Sequence, residues 1–195
     1  MFFKPHCCEP GNDEHLEYKK RALGVLEGSG CTVVESGKIA SSTILGKKLI
    51  GKHYYAIASK ATLKKPSELN VPGNKFRDAF GISFEEALEH GLCFNALDAI
   101  EELEVDATEL ERLSRTAKKS VKFGGGFYCC EIKKEEKAIY VFNAFYMSMR
   151  SQYVESGKQI KWLIVEFDDE TLKWADFRSK VLGKTDPSKA DPDSL

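Results

Sequence analysis

Four short segments carry residue types suited to holding an anion. Lys4-Pro5-His6 follows Phe2-Phe3; the proline stops a strand and turns the chain away, and a lysine just before it can reach across the sheet end toward an anion. A solvated turn is the plainer reading of such a pair, and His6 reads as a turn residue rather than a nucleophile. His53-Tyr54 lies inside Leu49–Ile57, LIGKHYYAI, where Tyr54 and Tyr55 read as residues of an amphipathic helix. Phe145–Tyr153, FYMSMRSQY, is aromatic-rich and carries Arg150, a phosphate ligand or an exposed helix charge. In Arg178–Pro187, RSKVLGKTDP, Gly183 ends a helix, Thr185 can donate its hydroxyl to a phosphate oxygen, and Asp186-Pro187 turns the chain. Arg178 and Lys180 are the cations of this segment. Ammonium, guanidinium and hydroxyl donors are the parts of a phosphate cradle.

Other constellations point away from other chemistries. Gly124–Gly126 is not followed by Lys-Ser/Thr and opens a strand, so it is not a phosphate loop. Glu135-Glu136 and Asp168-Asp169 fall in turns, where nothing places two carboxylates face to face. The six cysteines include the adjacent pairs Cys7-Cys8 and Cys129-Cys130 and show no metal-binding spacing. They read as reduced thiols of a cytosolic protein. A net charge of −1 argues against a general nucleic-acid binder. No apolar run approaches membrane-spanning length, and no secretory signal is expected.

The elements that must position these residues follow from periodicity and punctuation. Met1–Phe3 reads as a strand, His15–Glu27 as a helix closed by Gly28-Ser29-Gly30, and Cys31–Ile39 as a second strand. Thr43–Ala61 reads as one helix capped by Ser41-Ser42, and Lys64–Asn74 as a turn-rich exit. Ser83 caps a further helix before Gly91, and Asn95–Lys119 reads as another. Phe127–Ile132 and Ala138–Phe142 flank the charged turn Lys133–Lys137 as a hairpin. Ala144–Tyr153 is a short helix, Ile160–Phe167 an apolar strand, Thr171–Leu182 the last helix, and Asp186–Leu195 Pro/Asp-rich coil. This order predicts an α+β protein, a ferredoxin-like α/β sandwich with a mostly antiparallel sheet, not a doubly wound fold. At 195 residues one domain is expected.

Taken together, Lys4-Pro5, the His53-Tyr54 helix, the Phe145–Tyr153 helix and Arg178–Leu195 resemble the nucleoside diphosphate kinases. The likeness is to a divergent algal and protist branch with a large insertion, here about 65–142. His6 departs from the family's usual aspartate. The resemblance implies γ-phosphate transfer from ATP or another nucleoside triphosphate to a nucleoside diphosphate through phosphohistidine, with Mg²⁺. It implies roles in nucleotide binding for Lys4, Tyr54, Arg178 and Thr185 at the phosphates, and for Tyr146 and Met147 at the base. The last two also read as ordinary core residues. Nucleotides are the implied partners, with neither nucleic acid nor membrane, in a cytoplasmic protein that can form homo-oligomers. The family's catalytic histidine lies further along than Leu195, so this polypeptide is expected to be inactive by itself. The alternative is a non-catalytic nucleotide-binding or protein-interaction module on the same scaffold.

Overall fold

The structure, a computed structural model, describes residues 1–8, 13–134, 137–184 and 187–195, with the backbone alone at 13–16, 134, 137 and 187. In chain order, β1 (Phe2–Phe3) leads through a 3₁₀ turn at Pro5–Cys7 to α1 (Asp13–Gly28) and β2 (Thr32–Ala40). Short helices follow: α2 (Ser41–Gly46), α3 (Leu49–His53), α4 (Tyr55–Thr62), α5 (Gly73–Phe80) and α6 (Phe84–Glu89). Then come β3 (Cys93–Asn95), α7 (Ala96–Leu103), α8 (Ala107–Arg115), β4 (Ser120–Gly124), β5 (Phe127–Lys134) and β6 (Lys137–Phe142). The chain closes with α9 (Phe145–Val154), β7 (Gln159–Glu166) and α10 (Trp174–Asp176), which runs into a π-turn at Phe177–Val181. The class is α+β, as the sequence predicts.

Two compact units divide the chain, Met1–Thr43 with Ser156–Leu195, and Ile44–Glu155. The segment expected as an insertion, 65–142, lies wholly inside the second unit, which begins earlier and ends later.

The first unit holds a three-stranded sheet in the order β1-β7-β2, all antiparallel. Phe2 pairs with Trp162, which puts β1 at an edge of the sheet beside β7. Leu163 of β7 is buried with Leu26 of α1 and with Phe177 and Val181 of the C-terminal helical segment. Phe177 and Val181, four residues apart, are the buried residues of that segment, the stripe that must leave water. The last residues are not free coil. Ser194 is buried, Leu195 N–H donates to the Val181 carbonyl at 3.0 Å, and Leu195 packs on this core. A 3₁₀ turn at Pro187–Lys189 precedes them.

The second unit has its own sheet, β3-β6-β5-β4. It is mixed, because β3 runs parallel to β6 while the β4–β5 and β5–β6 pairs are antiparallel. Strand periodicity distributes β5 and β6 to two cores. Cys130, Ile132, Ile139 and Val141 face Ala99, Leu103, Leu110 and Tyr146 of the helices on one side. Phe127, Cys129, Tyr140 and Phe142 face Phe76, Phe80 and Phe84 of α5 and α6 on the other. Cover on both faces explains why these strands lack simple apolar–polar alternation.

Three expectations change. The helix expected over Thr43–Ala61 is three pieces, broken where Lys48 takes a left-handed backbone (φ 52°) and again at Tyr54. The one expected over Asn95–Lys119 is two, divided by left-handed Glu104, and its end belongs to the approach to β4. Side-chain caps fix the new starts: Asn95 and Asp106 accept from the backbone N–H groups of Asp98 and Glu109, each at 2.8 Å. The last helix is shorter than Thr171–Leu182. Ser83 caps α6 as expected, accepting from Glu86 N–H at 3.1 Å. The tip of the hairpin, Glu135-Glu136, lies outside the described residues.

Candidate functional site

Within the second unit, α3, α4, α7 and α9 enclose a cleft of about 530 Å³, a volume that fits a small-molecule ligand. Its floor is apolar: Ile44, Ile50 and Ala58 are buried, and Tyr146 is only 2% exposed. One face of α9 contributes Tyr146, Met147, Arg150 and Val154 at near-helical spacing. The lip carries Leu45, Tyr55, Leu63 and Leu97, with Tyr55 63% and Leu63 67% exposed. Such apolar side chains gathered at one opening mark a binding surface better than the same residues scattered singly.

Three cations line the same cleft, Lys48, Lys52 and Arg150, and among the described residues no carboxylate does. Among the described residues no ion pair engages any of the three. Lysines and arginines elsewhere do find partners, as Lys65 does with Asp98 at 2.7 Å and Lys180 with Asp176 at 2.9 Å. Lys48 stands at the N-cap of α3, its carbonyl accepting from the N–H of Lys52 at 3.0 Å four residues on. The left-handed turn at Lys48 is what ends α2 and starts α3, so the strained residue is itself one of the cations. Burial pushes the Tyr146 phenol above its ordinary range, and the nearby Arg150 guanidinium pulls it partly back. Tyr146 therefore presents a neutral hydroxyl beside a fixed positive charge.

Apolar floor, cationic wall and a phenol together suit an amphiphilic anion: a flat or aliphatic body with a phosphate or carboxylate head. Metal chemistry has less to work with. Among the described residues no group of three or more His, Cys, Asp or Glu converges on a metal position. No helix among them is long and apolar enough to cross a membrane. No protein-family model, curated protein or solved structure matches this chain.

Of the residues singled out in the sequence, Tyr146 and Met147 come together in the cleft, with Arg150 one turn on. Tyr54 is half-buried at the α3–α4 junction and is not among the cleft's lining residues. Its ring meets His53 edge-on at 4.6 Å, and its hydroxyl shares a hydrogen bond with Tyr153. Lys4 is exposed at the end of β1, where its carbonyl accepts from Cys7 N–H at 2.9 Å. Arg178 is exposed on the π-turn of the same unit, and Thr185 lies outside the described residues. Sequence reasoning missed Lys48, Gly51, Lys52 and Leu97. The spacing of Lys48 and Lys52 was visible, but nothing in the sequence separates that pair from a solvated helix face.

A second cavity of about 310 Å³ opens beside β4 and β5 and is lined by Lys122, Tyr128, Cys130 and Asn143. The polar groups of Asn143, Cys130 and Lys122 are already engaged. Both ends of the Asn143 amide bond the backbone, the Cys130 thiol donates to the Val141 carbonyl, and Lys122 sits 5.4 Å over the Tyr128 ring.

Proposed function

We propose that this chain is a nucleotide-binding protein of nucleoside diphosphate kinase type, with the nucleotide seated in the cleft of the second unit. The observation that carries the reading is the company kept by Tyr146 and Met147. The two residues that the resemblance assigns to the base share an apolar cleft with three cations that no ion pair engages among the described residues, which is what a base joined to phosphates requires. The base lies on the Met147 side and along the Tyr146 ring, leaving the Tyr146 hydroxyl toward the phosphates. The phosphates meet Lys48, Lys52 and Arg150, each charge-assisted hydrogen bond contributing about 1.5–3 kcal/mol. Mg²⁺ comes in on the phosphate oxygens rather than in a cage of protein ligands, as is usual for that ion. In phosphoryl transfer from ATP the work left to such a site is positioning and charge neutralisation. The ferredoxin-like topology belongs to the same proposal, supported by the β1-β7-β2 antiparallel order. Six free cysteines fit a reducing, cytoplasmic setting.

One observation favours a second reading, a binding module without transfer: every lining residue of the cleft lies in Ile44–Glu155. Two measurements separate the readings. Fluorescent N-methylanthraniloyl ADP should bind, with Arg150→Glu weakening it at least roughly tenfold. Incubation with γ-labelled ATP and Mg²⁺ then asks for an acid-labile, base-stable protein label. Binding with no label, in this chain and in longer versions of it, leaves the module; no binding removes both.

A further inference from the structure

Gly51 stands in the middle of α3, where glycine weakens a helix relative to alanine. Neither usual reason for keeping a glycine applies. Its backbone is not left-handed, unlike that of Gly30, Gly81, Gly91, Gly126, Gly157 and Gly183. Nor is it crowded. A methyl group here would meet nothing outside its own helix nearer than the Tyr146 hydroxyl, 3.8 Å away, which is ordinary van der Waals contact. Alanine would fit. A longer side chain would grow over the Tyr146 hydroxyl, inside the cleft that both residues line.

We infer that Gly51 is a specificity-determining position: it keeps open the approach to the Tyr146 hydroxyl, which with Arg150 receives a phosphate oxygen of the ligand. The inference rests on the nucleotide reading of the cleft and adds where the anionic group goes. Tyr146 is held in place by burial in the core formed with Ala58, Ala61 and Val141. A neutral phenol donates one hydrogen bond, and a guanidinium beside it supplies charge and further donors. Lys52 follows Gly51 directly and Lys48 lies one turn earlier, so the open gap is bordered by cations. A ligand that buried only its base would gain nothing from that gap, whereas one carrying phosphates would.

The experiment uses Gly51→Ala, Gly51→Leu, Gly51→Gln and Tyr146→Phe, each followed by thermal unfolding and by titration with the fluorescent ADP and with inorganic pyrophosphate. Gly51→Ala should bind as the parent does, with an unchanged or raised melting temperature. Gly51→Leu and Gly51→Gln should keep that temperature and lose roughly tenfold or more in affinity, and Tyr146→Phe should lose about as much. Should one bulky variant fail to fold, the other is read in its place. Parental affinity, within about twofold, in a folded bulky variant overturns the inference. If the parent protein binds no ADP, the nucleotide reading falls and pyrophosphate decides the rest. Thermal protection of the parent but not of the bulky variants upholds the gate, and equal protection, or none, overturns it.

Discussion

Asn143 donates its side-chain amide to the carbonyl oxygen of Ile57, 3.2 Å away and 86 residues earlier in the chain. The same amide reaches the Gly126 carbonyl at 3.1 Å, and its oxygen accepts from Tyr128 N–H at 3.0 Å. One fully buried residue thus ties α4, the β4–β5 turn and β5 together. It does so in a left-handed backbone (φ 52°), a conformation asparagine tolerates better than most. Asn143→Ala removes three part-buried bonds and worsens the backbone cost. A loss of about 3 kcal/mol or more in denaturant unfolding is expected. A loss under about 1 kcal/mol would show that the three elements hold without it.

Lys48→Gly separates stability from binding. Glycine relieves the left-handed strain, an advantage of about 1–2 kcal/mol, and gives part of it back through a freer unfolded chain. Stability should be unchanged or slightly higher while nucleotide affinity falls, because a cleft cation is gone. A protein less stable by more than about 1 kcal/mol would contradict the strain argument.

Alkaline pH should unfold the second unit earlier than carboxylates or lysines alone would suggest. Burial pushes the Cys93 and Cys130 thiols from 9.0 up to about 12, and raises Cys129 as well. Since the folded values are the higher ones, the unfolded chain loses these protons first. The stability they contribute is complete below pH 9.0 and drains away as pH climbs toward about 12. Each thiol adds up to about 1.4 kcal/mol per pH unit in that window. Tyr140, Tyr146 and Tyr153, also raised by burial, add to it above their ordinary range. Unfolding midpoints at pH 8 and pH 10 check this; Cys93→Ala/Cys130→Ala should flatten the dependence, and an equally steep profile in that variant assigns it to other groups.

Gly183→Ala should loosen the end of the chain. Gly183 has φ 75°, and a β-carbon there would collide with the Ser194 side chain. Both the backbone and the packing therefore oppose any side chain, and faster carboxypeptidase trimming at Ser194–Leu195 is the expected readout. Trimming at the parent's rate would mean that the terminus is not held by this contact.

How much of this was legible depended on what each residue had to satisfy. Strong periodicity with clear stops revealed α1, β2, the β5–β6 hairpin, α9 and β7, and Ser83 announced α6. The breaks at Lys48 and Glu104 were hidden because neither is glycine and the apolar pattern runs on through both. β3 is three residues long, too short to show a period, and its pairing with Tyr140–Phe142 is decided by tertiary contact. In the cleft, Tyr146 and Met147 could be named from their helix. Lys48 and Lys52 could not, since the absence of facing carboxylates is a property of the fold rather than of spacing. Gly51 signals itself only once its neighbours are known to leave room for a side chain.

The division of the chain into an uninterrupted second unit and a first unit contributed by both termini sets an order of assembly on the ribosome. β1 and β2 do not pair with each other; each pairs with β7. At about 5–20 residues per second, β2 waits on the order of ten seconds for β7 to be made. During that interval 44–155 carries everything its own two cores need, while β1 and β2 remain unpaired strands with apolar residues and open hydrogen-bonding edges. The nascent chain thus passes through a stage at which the cleft-bearing part can be finished and the sheet of the first unit cannot yet exist. It is at that stage, rather than in the completed protein, that a chaperone or an aggregating neighbour would find its target.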